Sequence, residues 1–354
     1  MKIAFTGGGT IGHVAVNMAL IPAAKQQNID CIYIGSKTGI EKDEITKRFP
    51  EIKYYGISSG KLRRYISIDN AMDIFKVQKG IIDALMVLKK EKPDIVFSKG
   101  GFVAVPVTIA AKMLKIKTII HESDVTPGLA NKLALKFANK LYTTFEETLK
   151  YVPSEKADYV GSIIRDDLFS GEALKGYQLT KFNHEKKVIM IMGGSLGSRM
   201  INKAVRDNLD TLLKNYQIIH LVGRGNLDIA IQRQGYYQRE YVSEELMHLY
   251  KITDIMISRA GSNALFEFLA LQKPMILIPL GLDQSRGDQI DNAKIFKGKG
   301  IAEVIQETDV SSEKLLQMIE KVEDNYIAMT EKMEQEQSMH TATTLLNKII
   351  QDVK

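Results

Sequence analysis

Tryptophan is absent from the 354 residues, and cysteine occurs once, as Cys31. A single thiol excludes a disulfide framework and predicts a reducing compartment. No apolar run reaches the roughly 18 residues that a bilayer demands, so no spanning helix is predicted. The residues after Met1 lead straight into a strand pattern, without the basic, apolar and small-residue regions of a secretory leader. Low-complexity stretches and short-period repeats are missing. Aromatic residues make up 7%, and the basic residues are not interleaved with stacking groups, which argues against a nucleic-acid binder. No Asp-x-Asp motif and no histidine–cysteine cluster at metal-ligand spacing occurs, so neither an obligatory metal nor another cofactor is predicted.

What is present describes a globular protein. The length suits two domains of ordinary size, and 45% hydrophobic with 25% charged residues is typical of such chains. A net charge of +6 favours anionic partners: phosphorylated small molecules, nucleic acid or an acidic membrane surface. Apolar runs alternate with helical patterns throughout. Strands are expected at 2–6, 31–35, 94–98, 118–121 and 140–144, then at 188–192, 218–222, 254–258, 275–279 and 301–305. Most are continuous rather than alternating runs, the mark of parallel strands covered on both faces. The class is therefore α/β, with two doubly wound domains of Rossmann type facing a cleft. The boundary is placed within 161–165, giving domains 1–163 and 164–337. Residues 171–187 read as a polar linker or surface excursion. From 338 on, an amphipathic helix carrying Leu345, Leu346, Ile349 and Ile350 could pack back on the first domain.

Two glycine-rich turns open the two halves: KIAFTGGGTIGH, ending at Gly12 and His13, and KKVIMIMGGSLGSR, ending at Arg199. A strand, a cluster of small residues and a helix start aim bare N–H groups at a negative group, usually phosphate. Gly7, Gly9 and Gly12 satisfy G-x-G-x-x-G, which alone would indicate a dinucleotide. That reading needs an acid at the end of the second strand, and the run Ile34, Gly35, Ser36, Lys37 offers none. A tight turn that only serves packing is the plainer alternative. His13, in the first helical turn, is expected to have a lowered pKa because the helix N-terminus disfavours its cation; it is the first candidate for a general base. Lys99, Gly100, Gly101 and Phe102 follow one strand, and His121, Glu122, Ser123 and Asp124 another, at the strand ends where such sheets bind ligands. Glu122 and Asp124 could take a proton or a sugar hydroxyl's hydrogen bond; a helix cap by Ser123 or Asp124 competes. In the second half, the segment Ser258 to Glu267 (SRAGSNALFE) has turn amides for a diphosphate, with Glu267 on the face of Asn263 to take both ribose hydroxyls. The polar stretch 281–292 suits a hydroxyl-rich ligand.

In order along the chain, GGGTIGH, SKGGF, HESDVTPGLANK, GGSLGS, SRAGSNALFE and DQIDNA resemble the MurG family, which transfers N-acetylglucosamine from its UDP donor to undecaprenyl-diphospho-muramoyl-pentapeptide. The resemblance implies the glycosyltransferase B fold, with the lipid acceptor on the N-terminal domain and the nucleotide on the C-terminal one. It implies that Glu267 holds the ribose hydroxyls, that Ser195, Ser262 and Asn263 contact the diphosphate, and that Arg165 lies near the nucleotide. Backbone around Val242 would read the uracil, and Asp288 and Gln289 the sugar hydroxyls. Gly8, Gly9, Thr10, Gly12, Gly100 and Gly101 would face the acceptor diphosphate. The family often has GGTGGH where Ile11 stands here, HEQN where Asp124 stands, and glutamine at Asp288. The implied reaction is a metal-independent single displacement that inverts the anomeric centre and gives a β-1,4 link. The implied partners are UDP-N-acetylglucosamine, the diphospholipid acceptor and other cell-wall synthesis proteins, at the cytoplasmic face of the membrane.

To reach its lipid without a spanning helix, the chain offers KLRRYISIDNAMDIFKVQK. Ile68, Met72 and Phe75 fall on one helix face, ringed by Lys61, Arg63, Arg64, Lys76 and Lys79, as suits an anionic leaflet. An ordinary core-facing helix is the alternative reading. A helix over 131–140, with Lys132, Lys136 and Lys140, would add charge. Rival functions are another transferase of the same fold, a UDP-N-acetylglucosamine epimerase, and a non-catalytic nucleotide sensor or scaffold.

Overall fold

The computed structural model describes residues 1–10, 12–60, 68–194, 196–336 and 339–353, with backbone alone at 68–72, 74 and 166. The chain forms two compact units, Met1–Arg165 with His340–Lys354, and Asp166–Met339.

In the first unit seven strands, β1 (Lys2–Thr6), β2 (Asp30–Ser36), β3 (Lys53–Ile57), β4 (Ile95–Ser98), β5 (Lys117–Glu122), β6 (Lys140–Thr143) and β7 (Ala157–Tyr159), form one sheet in the order β3-β2-β1-β4-β5-β6-β7. All pairings are parallel. The strand period of two divides the apolar runs between two cores. Ile3, Phe5, Tyr33, Ile95 and Phe97 join one cluster with Leu20 and Ile21 of the helix Gly12–Gln26. Ala4, Ile32, Ile34 and Val96 join the other with Leu88 and Val107. Helices on both faces are thus why these strands read as unbroken apolar runs. A further short strand, β8 (Ser162–Ile164), lies against the first and last helices of the unit.

The second unit repeats the plan. Strands β9 (Lys187–Met192), β10 (Tyr216–Leu221), β11 (Tyr236–Arg239), β12 (Ile255–Ser258), β13 (Met275–Leu277) and β14 (Ala302–Val304) pair in the order β11-β10-β9-β12-β13-β14, again all parallel.

Of the strands in the two main sheets, β3 and β11 escaped the sequence reading, and each is an edge strand of its sheet; the segment 158–161 reads as strand-like and overlaps β7. An edge strand is not buried on both faces, so KYYGI, with a buried residue only at its end, carries no continuous run. The expected linker also contains a helix, Ala173–Thr180, packed on the helix Leu246–Ile252. Its buried positions are the small residues Gly176 and Thr180, which give no apolar signal. A Cβ at Gly176 would sit 2.4 Å from the His248 carbonyl, so the close packing requires glycine there. The helix expected at 131–140 is shorter, Leu129–Ala134.

The last helix, Ala342–Val353, starts four residues later than the pattern indicates and belongs to the first unit. Leu345, Leu346 and Ile349 are buried in the cluster with Ile3 and Phe5. At its end Asp352 accepts a hydrogen bond from the Tyr142 hydroxyl and pairs with Lys140 at 3.1 Å. Leu346 is fully buried. Leu346→Ala is expected to cost the first unit about 2–5 kcal/mol, read as a lower urea midpoint with unchanged slope. A loss under about 1 kcal/mol would mean that the helix does not complete this core.

Candidate functional site

In the first sheet the strand order reverses between β1 and β4. Sheets of this kind leave a ligand-binding crevice there, outside the C-terminal strand ends. The turns leaving those strands carry Gly7, Gly8 and Gly9, and Lys99, Gly100 and Gly101. They are hydrogen-bonded to each other, Gly8 N–H donating to the Gly100 carbonyl at 3.3 Å. Gly101 has φ +83°, and a Cβ there would lie 2.2 Å from the Gly8 carbonyl oxygen, so only glycine fits. A Cβ at Gly9 would meet nothing within 4 Å, which leaves the apex of the first turn open to a ligand. The helix Gly12–Gln26 follows directly and adds its N-terminal dipole.

A carboxylate does stand at the end of β2, contrary to the sequence reading. Glu41, fully buried on the helix Ile40–Arg48, accepts from Ser36 N–H at 2.9 Å, the Ser36 hydroxyl at 2.5 Å and Gly9 N–H at 3.1 Å. Burial opposes its charge, but these three hydrogen bonds outweigh that and hold its pKa below the usual carboxylate range. Glu41 is turned toward the turn and braces it. It lies five residues beyond the strand end, where a search of the strand itself does not reach.

His13 stands at the foot of the turn. Its Nδ1 lies 3.0 Å from the Gly8 carbonyl oxygen. A carbonyl only accepts, so Nδ1 carries the hydrogen and Nε2 keeps its lone pair. The His13 pKa is lowered, as expected, but the leading cause differs: burial acts first and the charge of Lys99 second, against the opposing pull of Glu122 and Asp124. Thr10 caps the approach, its carbonyl accepting from His13 N–H at 3.1 Å.

Glu122 ends β5, and its carboxylate is saturated. One oxygen accepts from Ser123 N–H at 2.9 Å and Asp124 N–H at 3.1 Å. The other accepts from Gly128 N–H at 2.8 Å and the Asn131 amide at 2.9 Å. Such a group shapes its loop and is poorly placed to receive a further proton. Asp124 is half-buried in the same loop, and its carbonyl accepts from the Thr148 hydroxyl at 3.2 Å. Sequence reasoning gave no role to Lys99, which is 2% exposed, nor to Asn131, 6% exposed. A lysine between an apolar strand and two glycines was the available signal.

The second unit has the same reversal, between β9 and β12. After β9, a Cβ at Gly194 would again meet nothing within 4 Å. After β12, Arg259 is buried and ties three segments together. It donates to the Ser198 hydroxyl at 2.9 Å, the Ile278 carbonyl at 3.0 Å and the Glu307 carboxylate at 2.5 Å. Ser198 in turn caps the helix Arg199–Asp207. The second Glu307 oxygen accepts from Gly281 N–H at 2.8 Å and the Gln284 amide at 3.3 Å. Neither Arg259 nor Glu307 was singled out from sequence, since their partners lie up to 61 residues away.

Ser262, Asn263 and Glu267 share the helix Ser262–Ala270, with Ser262 buried and the other two half-exposed. The Tyr250 hydroxyl donates to Glu267 at 3.5 Å. Asp288 and Gln289 open the helix Asp288–Gly298 rather than lying in a loop. Asp288 pairs with Arg286 at 3.4 Å, and Gln289 accepts from Leu280 N–H at 3.1 Å. Val242 is buried and follows β11, three places from β12 in the sheet. Arg165 ends the first segment of the first unit. Ser195, Arg63 and Arg64 lie outside the described residues, as do the side chains of Ile68 and Met72. Phe75 is 70% exposed on the helix Ile68–Glu91.

Residues 3–143 match the glycosyltransferase family 28 N-terminal domain, and 188–349 the glycosyltransferase family 28 C-terminal domain. A UDP-N-acetylglucosamine--N-acetylmuramyl-(pentapeptide) pyrophosphoryl-undecaprenol N-acetylglucosamine transferase of Staphylococcus aureus (strain MRSA252) is 60% identical over 351 residues, 99% of each chain. The transferase of the same description from Staphylococcus carnosus (strain TM300) is 59% identical, over 99% of this chain and 97% of its own. Among solved structures, MurG of Acinetobacter baumannii superposes with a TM-score of 0.75 at 23% identity, covering 99% of both chains.

Proposed function

We infer the reaction from one premise: the chain belongs to glycosyltransferase family 28. It is a hexosyltransferase that moves N-acetylglucosamine from UDP-N-acetylglucosamine to undecaprenyl-diphospho-N-acetylmuramoyl-pentapeptide, the last step in making the lipid-linked peptidoglycan precursor. The observation that carries this reading is 60% identity to such a transferase along 99% of both chains.

The residues divide the work as follows. The first unit takes the acceptor diphosphate at Gly8, Gly9, Thr10, Gly12, Gly100 and Gly101, with the helix N-terminus as the main attraction, since the Gly8 N–H is given to the Gly100 carbonyl and the Gly9 N–H to Glu41. Because Gly9 N–H is held by Glu41, the turn arrives preshaped rather than folding around its ligand. The second unit takes the donor: Ser195, Ser262 and Asn263 at the diphosphate, Glu267 on the ribose, the backbone at Val242 on the uracil, Asp288 and Gln289 on the sugar, with Arg165 of the first unit near the nucleotide. Residues 1–163 with the last helix thus serve the acceptor, and 164–337 the donor.

The C4 hydroxyl of the muramoyl sugar attacks C1 of N-acetylglucosamine as the C1–O bond to UDP breaks. The hydroxyl proton passes to His13 Nε2, whose lone pair the Gly8 contact leaves available. Of the two carboxylates considered as alternatives, Asp124 stays in contention and Glu122 acts on the loop instead. UDP departs with its charge held by turn amides, without an obligatory metal. Attack from the face opposite UDP inverts the anomeric centre to β.

Glu267→Ala is expected to lower kcat/KM for the donor by about 30- to 100-fold, since a charge-assisted hydrogen bond to a hydroxyl contributes about 2–3 kcal/mol. The check is the same assay with a 2'-deoxyribose donor, which the wild type should disfavour and the variant should not. Equal discrimination by both proteins would remove Glu267 from the ribose.

The enzyme meets its lipid at the cytoplasmic face of the membrane, as a peripheral protein. Among the described residues no helix is long and apolar enough to cross a bilayer. The helix Ile68–Glu91 instead displays Phe75, Ile82 and Met86, at 70%, 57% and 60% exposure. Their spacing places them on one face, with exposed Lys76, Lys79, Lys89 and Lys90 nearby. Phe75 is thus shared with the apolar face of the sequence reading, and Ile82 and Met86 lie further along the helix. A Phe75→Asp, Ile82→Asp double variant should lose at least about tenfold in partitioning to anionic vesicles, and keep its affinity for UDP. Undiminished vesicle binding would place the membrane contact elsewhere.

A further inference from the structure

We propose that Lys99 is a positioning residue for sugar transfer, acting through His121 and Ser123 to fix the first as its Nε2–H tautomer and the second's loop against the glycine turns. The proposal rests on the transferase reading above, with His13 as base. Lys99 follows β4, and its backbone N–H donates to the Thr6 carbonyl at 2.9 Å, so its stem is fixed to β1. Its Nζ lies 3.0 Å from His121 Nδ1 and is hydrogen-bonded to the Ser123 hydroxyl.

An ammonium only donates. Facing it, His121 Nδ1 must present a lone pair, and the ring hydrogen must therefore sit on Nε2. That Nε2 is buried and has no hydrogen-bond partner among the described residues. The backbone of the same residue is held too, its carbonyl accepting from the Asn131 amide at 3.0 Å. Lys99 thus prepares a fixed, desolvated N–H donor at the end of β5, in the sheet that carries the acceptor turns.

The electrostatics agree with the geometry. Burial pushes the Lys99 pKa down to about 8, against the pull of Glu122 and Asp124, so the ammonium persists at neutral pH. Burial, and then Lys99, hold His121 well below the usual histidine range. The same charge is the second cause of the lowered His13 pKa. The charged and titratable groups acting on this cluster are His13 beside the first turn, His121 and Glu122 on β5, and Asp124 beyond it. Lys99 is the cation among them, and it adds to burial in keeping both imidazoles neutral.

The test uses the full chain labelled with 15N-histidine, as wild type, Lys99→Met and Lys99→Arg. Two-bond 1H–15N spectra read the His121 tautomer, and kcat is followed against pH. In the wild type His121 should carry hydrogen on Nε2 only. In Lys99→Met the tautomers should mix, kcat should fall about 10- to 100-fold, and the acid limb should move to higher pH as His13 loses a neighbouring cation. Lys99→Arg keeps the charge and should recover the acid limb and the single tautomer. Arginine stays protonated above pH 8, so the tautomer preference should persist at pH 9 in that variant and weaken in the wild type. An unchanged circular dichroism spectrum and urea midpoint show that each protein is folded. One tautomer pattern and one acid limb common to wild type and Lys99→Met would overturn the proposal. So would wild type and Lys99→Arg changing tautomer at the same alkaline pH, a comparison that holds even where the methionine variant does not fold. An acid limb that survives in His13→Ala would instead remove His13 as the base, while the His121 spectra still decide the role of Lys99.

Discussion

His13→Ala lowers kcat for transfer by about 10³-fold and leaves the donor KM within about twofold. This is the signature of a group that acts only in the transition state. The expectation follows from three features of the first unit. The Gly8 carbonyl fixes the tautomer that leaves Nε2 free. Burial and Lys99 keep the ring neutral at pH 7. The open side of the Gly9 turn stands beside it. The pH profile carries the same information: protonation disables the base, and its pKa is lowered, so the acid limb of the wild-type rate lies below 6.5, the ordinary histidine value. His13→Gln, which keeps a hydrogen-bonding side chain without a titrating group, should lose the acid limb along with the rate. If either variant retains more than about a tenth of the wild-type kcat, the proton goes to another group, with Asp124 the next to test.

Arg259→Met should damage the second unit more than any single change on its surface. Arg259 and Glu307 form a buried pair whose other hydrogen-bonding positions are filled by Ser198, the Ile278 carbonyl, Gly281 and Gln284. Removing the cation leaves a buried carboxylate unpaired, which costs about 3–5 kcal/mol. It also frees three segments beside the residues proposed for the donor, so donor kcat/KM should fall about 100-fold even where the unit remains folded. Pairing the change with Glu307→Gln removes the stranded charge. The double variant should regain at least about 1.5 kcal/mol of stability and little of the activity, because the segments stay untied. Additive losses in stability would show that the two side chains are not coupled as their geometry requires.

The sheets were legible in the sequence where strands are buried on both faces, because a strand with a core on each side must be apolar at every position. β1, β4, β9 and β12, the strands that place the glycine turns, are all of this kind. The edge strands β3 and β11 were not, and neither was the helix Ala173–Thr180, whose contact is made by Gly176 and Thr180. The turn motifs and His13 could be read because one local segment supplies the whole pattern. Glu41, Arg259 and Glu307 could not, for the opposite reason. Each does its work across a gap in sequence, 32 residues from Gly9 to Glu41 and 48 from Arg259 to Glu307, and an isolated acid or arginine looks like any surface charge. Glu122 is the reverse case. Its place at a strand end marks it as a candidate base, and only the structure reveals the four donors around its carboxylate.

The measurement closest to the central claim is the structure of the product. Purified chain is incubated with UDP-N-acetylglucosamine and a muramoyl-pentapeptide diphospholipid in detergent with EDTA, and the isolated lipid is examined by proton and carbon NMR. A new disaccharide with a β-anomeric proton coupling and a linkage at the muramoyl C4 carbon is the expected result, with no change in the donor when the lipid is left out. An α-linked product, attachment at another carbon, or conversion of UDP-N-acetylglucosamine without any acceptor would contradict it.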